Sequence, residues 1–351
     1  MAHKTLVEKE SAEAPAVVAR QIRANAGVLA ELSARLKRCP PPFAVTIARG
    51  SSDHAATFAK YLFETKLGIA TSSAAPSVFT LYKAKMRMKG ALAIGISQSG
   101  ASPDICEAMA CARKAGAITV SFVNNPGSPL ARESEYIVPL WAGEERAVAA
   151  TKSYIAALAA LIHLNGLWSG DRHLIGCLRR LPESLEKAAA ADWSAAVKAL
   201  RNINDTLVIA RGYCFPAAQE AALKLKETCS IHAEAFSGAE VLHGPYRLIR
   251  KRYPVLIFTE DDTSLKSVVD VAGRMKQSGA RILLACPNGA VPPKTVRELS
   301  CLALPVPASG HVLCAPLLII QACYPMIARL ALSRGRDPDF PGNLNKITET
   351  F

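Results

Sequence analysis

The sequence predicts an α/β fold made of two tandem units, each a parallel sheet flanked by helices. Three observations carry this. From residue 43 onward, short apolar runs of strand length alternate with helical patterns. The alternation then restarts near residue 193. Finally, the halves share a motif in which a strand ends in Ala-Arg-Gly and feeds an Ala-rich helix. Arg49-Gly50, Ala55-Ala56 and Ala59 in the first half match Arg211-Gly212, Ala217-Ala218 and Ala221 in the second, as a duplicated unit would.

Taken in order, residues 14–36 read as one amphipathic helix, with Val18, Ile22, Ala26, Leu29, Leu32 and Leu36 near helical spacing. Cys39-Pro40-Pro41-Pro42 ends it. Residues 43–48 read as a strand and 52–65 as its helix. Strand 92–96 precedes helix 102–115, strand 119–123 precedes a short turn at 128–132, and strand 136–140 precedes a long helix over 150–167. Residues 172–191, charged and containing Pro182, read as the linker. In the second half, 193–200 is helical, 206–210 a strand and 215–229 a helix, with later strands at 255–259, 282–286 and 302–305. The domains expected are an N-terminal helical segment over 1–40, units over 41–180 and 190–336, and a tail over 337–351.

Length and composition narrow the function. The 351 residues suffice for two ordinary domains. A net charge of +13 suits an anionic ligand. The basic clusters at 83–89, 179–180 and 247–252 are too short for a nucleic-acid stripe, so no nucleic-acid partner is expected. The 10 cysteines include no Cys-x-x-Cys pair or zinc spacing, and several, such as Cys106, Cys111, Cys314 and Cys323, lie in helical apolar patterns. Reduced, buried thiols in a cytoplasmic protein are expected. Glu8, Glu10 and Glu13 stand where a signal peptide would have its apolar core. The apolar stretch 312–332 contains Gln321, Pro325 and Arg329 and reads as a buried helix, not a membrane span.

The most informative stretch is Ser97-Gln98-Ser99-Gly100-Ala101-Ser102. It follows the buried run 91–96 and leads into Pro103-Asp104. That is an N-cap Ser, a Pro at the first helical position and an acid in the first turn. Hydroxyls, an amide side chain and backbone N–H groups converge at a positive helix end, an anion site sized for one phosphate. Ser51 and Ser52 fall at a neighbouring strand end, where open parallel sheets bind ligands.

Three further residues have two readings. Glu227 shares a helix face with Lys224 at i,i+3, either as an ion pair on a solvated surface or as a positioned base. His243 precedes the turn Gly244-Pro245 and is either structural or the acid-base partner of Glu227. Lys346 is either a solvated tail lysine or an amine that a folding tail delivers to a carbonyl.

The chain resembles the sugar isomerase (SIS) family in its double-domain form, over nearly its whole length. The matching residues are Gly50-x-Ser52-x-His54-Ala55, Ser97-Gln98-Ser99-Gly100, Ala142-Gly143-x-Glu145, Val148-Ala149-x-Thr151-Lys152, Ala222-Leu223-Lys224-Leu225-Lys226-Glu227, Ile231-His232-Ala233-Glu234-Ala235, His243-Gly244-Pro245 and Pro341-x-Asn343-Leu344-x-Lys346. The resemblance implies two flavodoxin-like three-layer sandwiches in a homodimer. It implies that Ser51, Ser52, Ser97, Gln98, Ser99 and Ser102 hold a sugar phosphate, with Val148, Ala150 and Lys224 also lining the substrate site. Glu227 would move a proton between the first two carbons, His243 would open the sugar ring across the dimer interface, and Lys346 would approach the carbonyl carbon. No metal or cofactor is implied.

Departures refine the expectation. The family's glucosamine-6-phosphate synthases have Glu-Thr after Ser-Gln-Ser-Gly and a Ser before Thr-Lys; this sequence has Ala101-Ser102 and Ala150. Ala2, not a nucleophilic Cys, follows Met1, and no glutamine-hydrolysing domain is expected. These features, with the run 49–55 and the ending Thr348-Glu349-Thr350, resemble stand-alone glucosamine-6-phosphate deaminases. The activity implied is hydrolytic deamination of glucosamine 6-phosphate. The alternatives are another amino-sugar phosphate deaminase-isomerase, a fructosamine-6-phosphate deglycase, or, from another class, a non-catalytic sugar-phosphate sensor. A sensor needs the serine loop but not Glu227, His243 and Lys346 together.

Overall fold

The structure, a computed structural model, describes residues 4–346. In chain order the helices are α1 (Leu6–Ala12), α2 (Ala14–Ala24), α3 (Ala26–Arg38), α4 (Ser51–Leu67), α5 (Pro76–Thr80), α6 (Pro103–Lys114), α7 (Pro129–Arg132), α8 (Lys152–Ser169), α9 (Arg172–Ala189), α10 (Ser194–Leu200), α11 (Phe215–Cys229), α12 (Leu265–Gln277), α13 (Pro293–Leu299) and α14 (Ala315–Ser333). The strands are β1 (Ala44–Ile47), β2 (Thr71–Ser73), β3 (Leu92–Ser97), β4 (Ile118–Val123), β5 (Tyr136–Pro139), β6 (Asp205–Ala210), β7 (His232–Ser237), β8 (Pro254–Phe258), β9 (Arg281–Pro287) and β10 (Leu302–Val306).

The described chain divides into two compact units. One holds residues 13–145, 152–182 and 345–346; the other holds 4–12, 146–151 and 183–344. Each contains one five-stranded, wholly parallel sheet. The first runs β2-β1-β3-β4-β5, the second β10-β9-β8-β6-β7. Read from the β7 edge, the second has the same order as the first, so the repeat seen in the sequence is a repeat of topology. In both, the connection reverses at the first strand, and the ligand crevice of such a sheet opens where that reversal occurs.

Alternation along the strands builds the layers. In the first sheet Ala91, Ala93 and Ile47 join Ile105, Ala108 and Met109 of α6 in one core. Helices α2, α3 and α4 pack on α8. In the second sheet Leu207, Ile209, Val255 and Ile257 pack on Val268, Val271 and Met275 of α12, while α11 packs on α14. The apolar stretch near the C-terminus is indeed a helix within the protein: α14 is long and apolar enough to cross a membrane, yet 83% of its most apolar window is buried here.

The structure corrects four expectations. The single helix over 14–36 is two helices, and α1 precedes them. The break falls at Asn25, whose side chain donates to the Pro139 carbonyl (2.8 Å) and accepts from Trp141 Nε1 (2.9 Å). The linker over 172–191 is largely helix α9, because Leu174, Leu178, Leu181, Leu185 and Ala188 form a buried stripe at helical spacing. Pro182 sits inside this helix. The turn at 128–132 contains α7, capped by the Ser128 hydroxyl, which accepts from the Ala131 N–H. Two strands were not anticipated, β2 and β7, which are the same edge strand in each sheet.

Candidate functional site

In the unit with the first sheet, two serine-bearing segments, 51–52 and 97–102, sit at the carboxyl ends of β1 and β3. These strands are neighbours, with Ile47 opposite Gly95. Gly50 turns the chain at φ 55° to start α4, which places Ser51 and Ser52 in its first turn. Ser97 closes β3. Its hydroxyl accepts from the Gly100 N–H (2.9 Å), and that of Ser99 accepts from the Ala101 N–H (3.2 Å). These two N–H groups, expected to be free for an anion, are thus spent inside the loop. Each hydroxyl keeps its own proton to donate outward.

Ser102 is the N-cap of α6 with Pro103 after it, as the sequence predicts, but its hydroxyl makes no capping bond. It is therefore open to a ligand. Gln98, Ser99 and Ser102 are all half-buried. Gly100 is required: at φ 64°, an added Cβ would lie 2.2 Å from Ser128 Oγ. Beside the loop, Asp53 is titrated upward by burial, opposed by the charges of His54 and Arg49 and by a hydrogen bond from Ser73.

The same unit contains Lys346. Its ammonium lies 3.0 Å from Glu145 Oε2. Glu145 is fully buried at the end of the segment following β5 and also accepts from the Ser153 N–H (3.1 Å) and Ser153 hydroxyl (2.7 Å). Lys346 is thus not a solvated tail lysine.

In the unit with the second sheet, α11 carries Glu220, Lys224 and Glu227 at i, i+4 and i+7. Lys224 is buried, 2.7 Å from Glu227 Oε2 and 3.4 Å from Glu220 Oε1. The reading of this pair as a solvated surface contact does not hold. Burial works against the Lys224 ammonium, but the two carboxylates outweigh it and its pKa is raised. Glu227 is 21% exposed and Glu220 not at all. Glu220 also receives the Tyr324 hydroxyl at 3.5 Å. So one carboxylate faces outward on a cation braced from behind by another.

His243 lies on an exposed turn of this unit, after a short 3-10 segment and before Gly244 at φ 135°. Val148 and Ala150 are half-buried. The Val148 N–H donates to the Asp339 carbonyl (3.0 Å).

The tail departs from expectation. Apolar side chains among prolines and polar residues would be read from the sequence as buried, yet Phe340 is 57% and Leu344 44% exposed; Ile347 lies outside the described residues. The anchor is polar instead. Asp339 accepts from the Leu6 N–H (2.8 Å) and Val7 N–H (3.0 Å), capping the start of α1.

Among the described residues, no group of three or more His, Cys, Asp or Glu is placed to hold a metal ion. None of the ten cysteines forms a disulfide. Burial pushes the thiols of Cys229 and Cys286 up to about 11.

The SIS domain family matches this chain twice, over residues 43–164 and 199–322. The chain belongs to the SIS domain family. It is 34% identical over 308 residues to the glutamine–fructose-6-phosphate aminotransferase (isomerizing) of Methanothermobacter thermautotrophicus, which covers 86% of this chain. The chain spans about half the length of the curated relatives it matches. Among solved structures it is similar to a candidate phosphosugar isomerase from Silicibacter pomeroyi DSS-3, at 36% identity and a TM-score of 0.89, covering 96% of this chain and 100% of that one. It is also similar to the C-terminal domain of the glucosamine-fructose-6-phosphate aminotransferase of Francisella tularensis, at 25% identity and a TM-score of 0.85, covering 97% and 99%.

Four residues of this SIS protein escaped the sequence reading as site residues: Asp104, Glu145, Glu220 and Asp339. Glu220 had a signal, since it falls on the Lys224–Glu227 face one turn earlier. Glu145 stood within a matching motif, but nothing in the sequence pairs it with a residue 201 positions away.

Proposed function

We propose that this SIS protein is an amino-sugar phosphate deaminase-isomerase, converting glucosamine 6-phosphate and water to fructose 6-phosphate and ammonia. The observation that carries the reading is Glu227, a partly open carboxylate held at 2.7 Å by the buried Lys224, which Glu220 braces. A base must be fixed in orientation and reachable by substrate, and this arrangement gives both. The relatives support the substrate class, since the names of two of them include fructose 6-phosphate and one of these also glucosamine.

Ser51, Ser52, Ser97, Gln98, Ser99 and Ser102 hold the phosphate, and Val148, Ala150 and Lys224 line the remainder of the substrate site. His243 moves the proton from the anomeric hydroxyl to the ring oxygen, which opens the sugar to an aldehyde. Glu227 takes the proton from the second carbon and delivers it to the first. The second carbon becomes an imine; water adds to it and ammonia leaves. The aldehyde acidifies the adjacent C–H, and its oxygen gains a proton as the amine nitrogen loses one, so the sequence of steps is redox-neutral. Lys346 meets the carbonyl end, and its ion pair with Glu145 favours an electrostatic clamp over a covalent amine.

In this reading residues 41–180 and 190–336 are the two SIS domains, 337–351 is the tail over the site, and the protein is a cytoplasmic homodimer in which His243 serves the partner's site. The exposure of His243, with Leu242 and Leu248 exposed beside it, supports a surface meant for a second copy.

The test is ammonia release from glucosamine 6-phosphate, galactosamine 6-phosphate and fructosamine 6-phosphate. Release from the first is expected to dominate. Binding of all three without turnover of any would refute catalysis and leave the sensor.

A further inference from the structure

We infer that Arg49, locked in place by Asp104, is the cation that recognises the phosphate dianion in the first sheet's crevice. The inference rests on the phosphate reading of the 97–102 loop and adds a residue to it.

The donors assigned so far are hydroxyls, an amide and helix starts. All are neutral or carry at most about half a charge each, whereas a sugar phosphate monoester carries close to two negative charges at neutral pH. The loops beyond the carboxyl ends of the first sheet's strands are 48–50, 74–75, 98–102, 124–128 and 140–151. They contain Arg49 and Arg146, and of these only Arg49 belongs to the first sheet's own compact unit.

Its geometry is that of a positioned ligand group. The guanidinium leaves the β1–α4 turn and reaches the first turn of α6, where Nε (3.0 Å) and Nη2 (2.8 Å) both donate to Asp104 Oδ2. The other carboxylate oxygen, Oδ1, accepts from the Ile105 N–H at 2.8 Å. The Asp104 side chain is 1% exposed and that of Arg49 is 53% exposed. A buried carboxylate thus fixes the plane of an open guanidinium. Two of the five N–H donors are used on Asp104; among the described residues no protein acceptor takes the other three. The pair spans the starts of α4 and α6, the two helices that present Ser51, Ser52 and Ser102. A surface ion pair would have both partners exposed and little consequence. Here one partner is sealed and the other keeps a free edge, the fork geometry suited to phosphate oxygens.

The test uses the full chain with fructose 6-phosphate and inorganic phosphate as probes in calorimetry, alongside turnover of glucosamine 6-phosphate. Arg49→Ala is expected to weaken both probes by roughly 10- to 100-fold, with KM raised far more than kcat is lowered. Arg49→Lys keeps charge but not the fork and is expected to fall between. Millimolar guanidinium added to Arg49→Ala is expected to restore part of the phosphate affinity, which a merely structural role would not allow. Asp104→Asn keeps the arginine but loosens it and is expected to weaken binding less than Arg49→Ala does. If Arg49→Ala melts as wild type and binds phosphate with unchanged affinity, the inference is overturned. Equal loss of kcat and affinity with a lowered melting point and no guanidinium rescue overturns it too, by making the pair a structural brace. Failure of the wild type to bind either probe overturns the phosphate reading itself and is seen before any variant is made.

Discussion

Replacing Glu227 with Gln isolates the proton transfer from everything else the site does. Lys224 sits 2.7 Å from Glu227 and 3.4 Å from Glu220. In the variant the amide carbonyl still accepts from the ammonium, and Glu220 still neutralises it. The exchange costs stability on the order of 1 kcal/mol, the difference between a charged and a half-charged hydrogen bond. Substrate affinity should therefore survive. The chemistry should not: losing a positioned base costs about 10²- to 10⁴-fold in turnover, or about 3–5 kcal/mol of barrier. The direct assay is exchange. Wild type incubated with fructose 6-phosphate in deuterated water should wash deuterium into the first carbon, read by proton NMR. Glu227→Gln should bind the sugar phosphate normally in calorimetry and show exchange slowed by the same 10²- to 10⁴-fold. Exchange at the wild-type rate would show that another group moves the proton and that the α11 carboxylates only stabilise one another.

Three other perturbations bear on the loop, the tail and the fold. Gly100→Ala places a Cβ 2.2 Å from Ser128 Oγ at φ 64°; a cost of about 1–3 kcal/mol is expected from strain and the displaced cap, with loss of phosphate binding, and unchanged affinity would show that the loop's shape is not what binds. Asp339→Ala removes the acceptor of two N–H groups at the start of α1; about 1 kcal/mol is expected, seen as faster hydrogen exchange at the amides of Leu6 and Val7 together with reduced turnover, and normal turnover despite faster exchange would separate the tail from catalysis. His163, buried on α8, has its pKa lowered to about 4 by burial, reinforced by Arg179. Its folded value lies below the unfolded 6.5, so its contribution is intact above pH 6.5 and is lost as pH falls toward 4, totalling about 3 kcal/mol. His163→Leu should flatten that part of the urea stability profile, and an unchanged slope between pH 6.5 and 4 would refute the assignment.

How far the sequence reached depends on the range of each interaction. Elements set by a local pattern were legible: α11 spans 215–229 as predicted, and eight of ten strands fall within two residues of expectation. The missed strands lack that pattern. Thr71–Ser73 is three polar residues, two of them exposed, and His232–Ser237 is largely half-exposed. An edge strand pairs on one side only and needs no apolar run. The break at Asn25 was invisible because its partners, Pro139 and Trp141, lie more than a hundred residues away. The serine loop was legible as strand, turn and helix start, although its inward hydrogen bonds were not. Glu227 and Lys224 were legible as a pair; that the pair is buried depends on α14 packing over α11. The tail's polar anchoring was not legible, because the partners of Asp339 and Lys346 (Leu6, Val7, Val148 and Glu145) lie far away in the sequence.

On the proposed function one half binds phosphate and the other does not, and the repeat supplies a physical reason for that difference. Both sheets have the same strand order, and both first strands end in Ala-Arg-Gly with the glycine at positive φ, 55° in one and 61° in the other. The loop after the third strand decides the difference. Beyond β3 it is Gln98-Ser99-Gly100-Ala101-Ser102, without charge. Beyond β8 the corresponding stretch is Thr259-Glu260-Asp261-Asp262-Thr263-Ser264, with three carboxylates. Asp262 turns its Oδ1 to the Ser264 N–H (2.8 Å) and hydroxyl (2.6 Å), which occupies the donors that an anion would use. Its Oδ2 lies 3.5 Å from where a Cβ on Gly212 would stand, so the carboxylate reaches the neighbouring first-strand turn. Glu260 and Asp262, after burial, also help push the buried Cys214 thiol upward, which shows the sign of the field there. A phosphate placed in this crevice would meet negative charge where the first sheet's third-strand loop offers hydroxyls; Arg211, at the position aligned with Arg49, does not distinguish the two copies. The second copy shares the scaffold but carries three carboxylates where the first has its serine loop. What it retains for chemistry lies on α11, where Glu220, Lys224 and Glu227 have no counterpart on α4: the positions aligned by the Ala-Arg-Gly motif are Phe58, Leu62 and Thr65. On the proposed function, duplication divides the labour, with the first copy holding the phosphate and the second moving the proton.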